Sequence, residues 1–200
     1  MSAGVELWLV RHGETAWSLS GAHTSRTDVE LTEEGRDRAK RLKKYLAGRE
    51  FAAVMTSPMK RARETCAIAG FAESAVIEPG LREWDYGIYE GKTTREVREK
   101  VPGWSVWTYA IVGGEALEHV AARADAVIEK AVAAARASGK AEGRVLLFAH
   151  AHVLRILAAR WMGMTPVNGR HLALGTGSVS VLGFEREVRV ISSWNREFLE

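Results

Sequence analysis

Cysteine is nearly absent from this sequence of 200 residues, in which Cys66 is the only one. An internal disulfide is therefore excluded, and the composition is typical of a reducing compartment. No apolar run approaches the roughly 20 residues that a membrane-spanning helix needs. The N-terminus shows no basic segment followed by a long apolar core, so we expect no secretory signal and a cytoplasmic location.

The sequence also lacks a strong excess of charge of either sign. The 28 Lys and Arg residues nearly balance the 25 Asp and Glu residues, which leaves a net charge of +3. So small an excess creates no broad field for nucleic acid or a membrane surface, and we expect neither as a partner. With 46% hydrophobic residues and no repeat or linker, the sequence predicts one well-cored domain over residues 1–200.

What the sequence does contain is an alternation of strand-like and helix-like segments. Apolar runs of strand length lie at 5–10, 51–55, 76–77 and 144–149. Helical patterns lie at 32–46, 58–69, 115–138 and 153–162, with Thr32 as an N-cap and Pro58 just inside a helix start. This alternation predicts a parallel sheet covered by helices. Segments 178–184 and 188–193 are joined by a tight polar connection and should pair antiparallel, and 18–28 reads as a polar loop.

The segment 9–15 reads LVRHGET, which places Arg11 and His12 on a glycine turn directly after an apolar strand. Open α/β sheets bind ligands at the carboxyl ends of their strands. Arginine grips phosphate with a planar fork of donors, and a neutral histidine can attack phosphorus. The pair suggests phosphoryl transfer through a phosphohistidine. An ordinary strand-end histidine beside a solvated arginine is the alternative.

The segment 57–65 reads SPMKRARET and follows the second apolar run. An arginine in the first helical turn can add its guanidinium to the N–H groups of the helix N-terminus and so help to bind an anion. Arg61 and Arg63 are two residues apart and cannot share a helix face. We therefore expect one of them to face a ligand and the other to face solvent. A solvated basic helix is the alternative.

The segment 81–91 reads LREWDYGIYEG and sets three carboxylates among aromatic residues. A carboxyl group near apolar rings and a dianionic phosphate has its ionised form disfavoured, so it can carry a proton. A general acid for an alkoxide leaving group needs that property. The alternative is a surface loop whose aromatic residues cover the edge of the core.

The segment 148–155 reads FAHAHVLR and repeats the pattern of a histidine at a strand end. If the two strands are neighbours, His150 and His12 share one crevice, and His150 can stabilise charge on a transferring phosphoryl group. A two-histidine metal site is the rival interpretation. His150 and His152, two residues apart without cysteine or a carboxylate triad nearby, fit zinc poorly, so we expect no metal.

These four segments, in this order, resemble the histidine phosphatase superfamily in its phosphoglycerate mutase-like branch, over nearly the whole chain. The resemblance implies a three-layer α/β/α sandwich on a mainly parallel sheet with an antiparallel edge strand. It implies that His12 is the phosphorylated nucleophile, Glu83 the proton donor, and Arg11, Arg61 and His150 the phosphate cage. It also implies that the protein needs no metal or nucleotide cofactor.

Within that family the chain looks most like acid phosphatases and sedoheptulose-bisphosphatase-like enzymes. Cofactor-dependent phosphoglycerate mutases carry a longer insertion after the acid residue, whereas fewer than 30 residues separate Glu83 from Gly113 here. A short lid leaves access for water, so we expect hydrolysis of small phosphorylated metabolites such as sugar phosphates or bisphosphates. A phosphoglycerate mutase is the alternative, and a binding module that has lost turnover is the rival from another class.

Further substrate contacts are expected by resemblance at Ser18, Thr24, Ala151 and His152. The chain departs from the usual family pattern at three positions, with Ser18 for Asn, Ala116 for Ser and Ala151 for Gly. Arg155 is a further candidate for a distal phosphate or sugar hydroxyl. His23 could approach the pocket, although a solvent-exposed loop histidine is the default expectation, and Trp104, Trp107 and Tyr109 form either a lid or ordinary packing. The sequence leaves the individual substrate and the formation of a homodimer open.

Overall fold

A computed structural model describes residues 4–139 and 142–198. The strands are β1 (Gly4–Arg11), β2 (Ala53–Thr56), β3 (Ala75–Ile77), β4 (Glu142–Ala149), β5 (Val179–Glu185) and β6 (Val188–Arg196). The α-helices are α1 (Ala16–Ser20), α2 (Glu33–Leu46), α3 (Lys60–Ile68), α4 (Thr94–Lys100), α5 (Leu117–Ala137) and α6 (Ala151–Trp161). Short 3₁₀ turns lie at Pro79–Leu81, Gly87–Tyr89 and Pro166–His171.

The strands form one six-stranded sheet in the order β3-β2-β4-β1-β5-β6. The pairs β1–β4, β2–β4 and β2–β3 are parallel. β5 pairs antiparallel with β1, and β6 pairs antiparallel with β5. The predicted α/β architecture with a mainly parallel sheet is confirmed, and the antiparallel edge consists of the β5–β6 hairpin.

Alternate side chains of the central strands pack into two separate hydrophobic cores, one on each face of the sheet. Leu7 and Leu9 of β1 pack with α5 and α6 on one face, and Trp8 and Val10 pack with α2 and α3 on the other. Successive side chains of a strand point to opposite faces, so a strand covered on both sides is apolar at every position. That is why residues 5–10 form an almost continuous apolar run.

The helix boundaries differ from the sequence prediction at several places, including α5, which begins at Leu117, and α6, which begins at Ala151. Residues 16–20, partly inside the predicted polar loop, form α1, because Thr15 and Ser18 make a reciprocal capping box. Pro58 lies outside α3 rather than inside its start, since Met59 is the N-cap. Thr32 caps α2 as predicted, accepting the N–H of Gly35 at 3.0 Å. The sequence did not indicate α4.

Two glycines bring the turn after β1 against α2. A Cβ at Gly13 would lie 2.4 Å from the carbonyl oxygen of Gly35, and a Cβ at Gly35 would lie 2.2 Å from the carbonyl oxygen of Glu14. Both distances are far inside van der Waals contact with main-chain atoms, so neither position admits a side chain without a shift of the backbone. The turn that carries His12 is thereby held against the first turn of α2.

Candidate active site

Two histidines at the ends of adjacent parallel strands lie side by side at the base of the site. β1 and β4 run in register with Arg11 opposite Ala149, and the N–H of His12 donates to the carbonyl of Ala149 at 3.0 Å. The ring centroids of His12 and His150 lie 5.1 Å apart. The structure therefore brings together two imidazoles that are 138 residues apart in the sequence.

His12 is held neutral with a defined tautomer. Its Nδ1 lies 2.7 Å from the carbonyl oxygen of Gly13, and a carbonyl only accepts, so Nδ1 carries the proton. Burial, with the charges of Arg61 and Arg11 after it, lowers the pKa of His12 well below its ordinary value. The lone pair therefore lies on Nε2, which is the condition for a nucleophilic imidazole.

Arg61 and His150 make a direct side-chain contact beneath the pocket. Arg61 donates from Nε to Nδ1 of His150 at 3.2 Å, and its other nitrogens donate to the carbonyls of Thr24, Ser25 and Thr27. Nε2 of His150 lies 2.8 Å from Oγ of Ser57. Burial, then the charge of Arg61, lowers the pKa of His150 well below its ordinary value.

The structure confirms that one of Arg61 and Arg63 faces solvent, whereas a ligand contact of the other stays a prediction. Arg61 is fully buried, whereas Arg63 is exposed. The sequence analysis did not single out Ser57 as a partner of His150. The position of Ser57 directly after β2, the strand that neighbours β4, is the sequence signal from which this contact was predictable.

Arg11 supplies a second cation, half-buried in the wall of the cavity that contains His12. Burial lowers the pKa of its guanidinium, and Nη1 donates to the carbonyl of Leu174. Its Nε is buried and has no hydrogen-bond partner among the described residues. An unpaired buried donor costs free energy that an anionic ligand would recover. Arg11 therefore holds an unsatisfied buried N–H next in sequence to His12.

Glu83 is fixed by the N-terminus of α6. One carboxylate oxygen accepts the N–H groups of Trp84 and Val153, both at 2.9 Å, and the other accepts the N–H of His152 at 3.0 Å. The side chain is buried but borders the cavity that contains His12. The structure thus places the predicted proton donor beside the predicted nucleophile.

A cavity of about 370 Å³ opens above these groups. Its lining includes the following residues predicted at the site: Arg11, His12, Ser18, Thr24, Glu83, Ala151 and His152. Arg61 and His150 do not border it and lie in the layer beneath. The hydroxyl of Ser18 is engaged with the main chain of Thr15, and that of Thr24 donates to the carbonyl of Ala22 at 3.0 Å.

The rest of the cavity wall combines rings with hydroxyl and guanidinium groups. Its lining there includes Tyr86, Thr94, Arg98, Ser105 and Trp107. Sequence reasoning did not single out Tyr86, whose hydroxyl lies 2.7 Å from Nδ1 of His152. Burial, then the charge of Glu83, raises the pKa of Tyr86 well above its ordinary value. The phenol is therefore neutral and can donate or accept a hydrogen bond.

One expectation about the pocket wall is wrong, and the alternative to it is confirmed. His23 is buried rather than solvent-exposed and lines the cavity, with its ring centroid 4.8 Å from that of Tyr86 and 5.4 Å from that of Trp104. Arg155 does not line the cavity, because its guanidinium donates to the carbonyls of Gly169 and Arg170. Both outcomes depend on contacts between segments that are distant in the sequence.

The three aromatic residues of the predicted lid have different environments. Trp104 is fully buried in the core, Trp107 lines the cavity and Tyr109 is 42% exposed. The guanidinium of Arg155 also lies over the Trp107 ring, 4.7 Å from the ring centroid. Only Trp107 of the three is therefore placed to meet a ligand in this cavity.

Neither a metal cluster nor a membrane span is found in residues 4–139 and 142–198. No group of three or more His, Cys, Asp and Glu side chains there is arranged to hold a metal ion. No helix in those ranges is long and apolar enough to cross a membrane.

Residues 7–197 match the family model described as histidine phosphatase superfamily (branch 1). An acid phosphatase of Mycobacterium tuberculosis is 39% identical over 188 residues, with 93% of this chain and 90% of that protein covered. The sedoheptulose 1,7-bisphosphatase of Saccharomyces cerevisiae is 32% identical over 182 residues, with 78% of this chain and 67% of that protein covered.

A 2,3-bisphosphoglycerate-dependent phosphoglycerate mutase of Methylorubrum populi is 33% identical over 201 residues, with 93% of this chain and 92% of that protein covered. Among solved structures, that of an open reading frame of Mycobacterium tuberculosis superposes with a TM-score of 0.88 at 37% identity. The superposition covers 96% of this chain and 97% of the chain in that structure.

Proposed function

The chain belongs to the histidine phosphatase superfamily, and from that membership we propose that it hydrolyses small phosphate monoesters through a phosphohistidine on His12. The observation that carries this proposal is the environment of His12. Its ring is neutral, its Nδ1–H is bound to the carbonyl of Gly13, and it lines a cavity near the charges of Arg61 and Arg11.

In the first step, the Nε2 lone pair of His12 attacks phosphorus in line with the ester oxygen. The P–O ester bond breaks, and Glu83 gives its proton to the departing alkoxide. In the second step, Glu83 takes a proton from water while the water oxygen bonds to phosphorus. The P–N bond then breaks, its electron pair returns to Nε2, and inorganic phosphate leaves.

We propose that Arg11, Arg61 and His150 stabilise the negative charge on the phosphoryl oxygens. Arg11 offers an unpaired buried N–H, and Arg61 adds a buried positive charge in contact with His150. Preorganised donors in a buried site are usually the largest electrostatic term in catalysis. His150 lies beneath the cavity lining with both ring nitrogens bound, to Arg61 and to Ser57, so we propose that it acts in the cage by holding the Arg61 guanidinium in place.

The composition of the cavity wall supports a sugar phosphate or sugar bisphosphate as substrate. Sugars present hydroxyl groups along with apolar C–H faces, and Thr94, Arg98, Ser105 and the Trp107 ring complement both. The proposed reaction requires no metal or nucleotide. Ser18, Thr24, Ala151 and His152 are proposed as further substrate contacts.

Phosphoglycerate mutase activity is the second candidate, favoured by the 33% identical mutase from Methylorubrum populi. The two activities differ in the acceptor of the phosphoryl group, which is water for a phosphatase and a second phosphoglycerate molecule for a mutase. Conversion of 3-phosphoglycerate to 2-phosphoglycerate without released phosphate would favour the mutase.

The test traps the intermediate. The protein is mixed with a ³²P-labelled phosphate ester and quenched in alkali, where phosphohistidine survives. We expect label on a peptide containing His12, phosphate release from p-nitrophenyl phosphate, and neither in His12→Ala. His119→Ala, at an exposed position outside this cavity, is the control and should keep both. Turnover by His12→Ala at most of the original rate would refute the mechanism.

A further inference from the structure

Arg123 of α5 uses all five of its guanidinium N–H donors, although it lies outside the cavity that contains His12. Nε and Nη2 donate to the two carboxylate oxygens of Glu115 at 2.8 and 2.9 Å. The remaining donors bind main-chain carbonyls. The side chains of the two partners are only 19% and 21% exposed, so the ion pair is largely shielded from water.

The carbonyls that Arg123 binds all belong to the segment that leads to Glu83. Nη1 donates to the carbonyl of Gly80 at 2.8 Å and to that of Arg82 at 2.6 Å. Nη2 donates to the carbonyl of Glu83 itself at 3.2 Å. One rigid, planar group therefore holds the main chain at three positions within four residues, and the last of these carries the proposed proton donor.

Glu115 extends this attachment to the other side of Glu83. Its carbonyl accepts Nε1–H of Trp84 at 2.8 Å, and its N–H donates to the carbonyl of Asp85 at 3.0 Å. The Arg123–Glu115 pair thus connects residues 80–85 to α5 on both sides of Glu83. The Glu83 side chain, in turn, reaches the N–H groups of His152 and Val153 at the start of α6.

We propose that Arg123 is a positioning residue for proton transfer by Glu83, and this inference rests on the proposed function. Arg123 fixes the main chain of Glu83 relative to α5, and α6 fixes its carboxylate. Together they set where the proton donor meets the ester oxygen. A misplacement of about 1 Å in a catalytic group can cost 100-fold in rate. Lysine cannot replace this arginine, because an ammonium is a point charge without the planar fork.

The leaving group of the substrate separates a positioning role from a merely structural one. An alkoxide needs a proton to depart, whereas p-nitrophenolate departs well without one. We expect Arg123→Lys to lower kcat/KM for an alkyl phosphate such as glycerol 3-phosphate by about 10- to 100-fold and to leave p-nitrophenyl phosphate hydrolysis nearly unchanged. Arg123→Met serves as a second variant, and urea denaturation checks that both are folded.

Arg160→Lys is the matched control. Arg160 also forms a two-pronged pair with a carboxylate of α5, Asp125, and donates to a main-chain carbonyl, that of Met164. It has no hydrogen bond to residues 80–85. We therefore expect Arg160→Lys to lose stability without any change in the ratio of the two substrates' kcat/KM values.

A double-mutant cycle with Glu83→Gln completes the test. If Arg123 acts through Glu83, Arg123→Lys adds no further leaving-group preference in the Glu83→Gln background. Equal losses on both substrates for a folded Arg123→Lys, or additive effects in the cycle, would overturn the inference. If Glu83→Gln itself shows no leaving-group preference, the proposed acid role of Glu83 fails first, and the two failures are thereby distinguished.

Discussion

The Nε–H of Arg61 donates to Nδ1 of His150 across 3.2 Å, and this contact determines the protonation of the second histidine. Because Nδ1 accepts, the single proton of the neutral ring lies on Nε2, which faces Oγ of Ser57 at 2.8 Å. Three hydrogen-bonded side chains therefore connect α3, the end of β4 and the turn after β2 beneath His12. The first two predictions concern this hydrogen-bonded series.

Replacement of Arg61 by lysine should lower kcat/KM for p-nitrophenyl phosphate by about 100-fold, the loss typical of a misplaced catalytic group. Lysine keeps the charge but loses the fork that reaches His150 and the carbonyls of Thr24 and Ser25. Steady-state kinetics measure the effect. Arg63→Lys, on the exposed side of the same helix, is the control and should match the original protein. Equal activities of the two variants would contradict the role of Arg61.

Ser57→Ala should destabilise the protein by about 1–3 kcal/mol, because it leaves the buried Nε2–H of His150 without an acceptor. The ring should also lose its orientation, which would lower kcat. Urea denaturation and kinetics measure the two effects. Ser74→Ala, at an exposed serine, should change neither. A Ser57→Ala protein of unchanged stability would argue against this hydrogen bond.

Stability should decrease as the pH falls below about 6.5, the ordinary histidine value. Burial lowers the pKa of four histidines in the folded chain: His12, His23, His150 and His152. The unfolded chain then binds more protons than the folded chain below that pH. Each histidine can remove up to roughly 1.4 kcal/mol per pH unit until its folded pKa is reached.

Urea denaturation at pH 7.5 and pH 5.0 measures this dependence. His23→Asn should reduce the loss between the two pH values, because one group that binds a proton on unfolding is removed. The control is His119→Asn, at an exposed ring, which should leave the loss unchanged. A free energy of unfolding that rises towards pH 5.0 would contradict the buried neutral state of these rings.

Gly35→Ala should lower the free energy of unfolding by about 1–3 kcal/mol, as overpacking typically does. The new methyl group would lie 2.2 Å from the carbonyl oxygen of Glu14, so the turn that carries His12 must shift. We expect kcat to fall as well. Thermal denaturation with activity assays measures both, and Lys44→Ala, at an exposed position of α2, is the control. Full stability of Gly35→Ala would mean that the two segments do not touch as described.

Local sequence patterns were enough to locate the strands and the two histidines at their ends. Continuous apolar runs at 5–10 and 144–149 require burial on both faces, and in a parallel sheet such strands end at a common edge. The short polar connection between β5 and β6 likewise indicated their antiparallel pairing. The opposite faces of Arg61 and Arg63 followed from helical periodicity alone. These features depend on main-chain geometry that neighbouring residues determine.

The tertiary structure alone decided which side chains meet. His23 is buried against Tyr86 and Trp104, Arg155 turns to the carbonyls of Gly169 and Arg170, and Arg123 holds the segment before Glu83. These contacts join segments that are 14 to 81 residues apart in the chain. Periodicity assigns a residue to a face, but the partner of a long side chain depends on which loops pack over that face. Hydrogen-bond partners that are distant in the sequence leave no local pattern, so the sequence determined where the proposed catalytic groups lie and the packing of the loops determined how they are held.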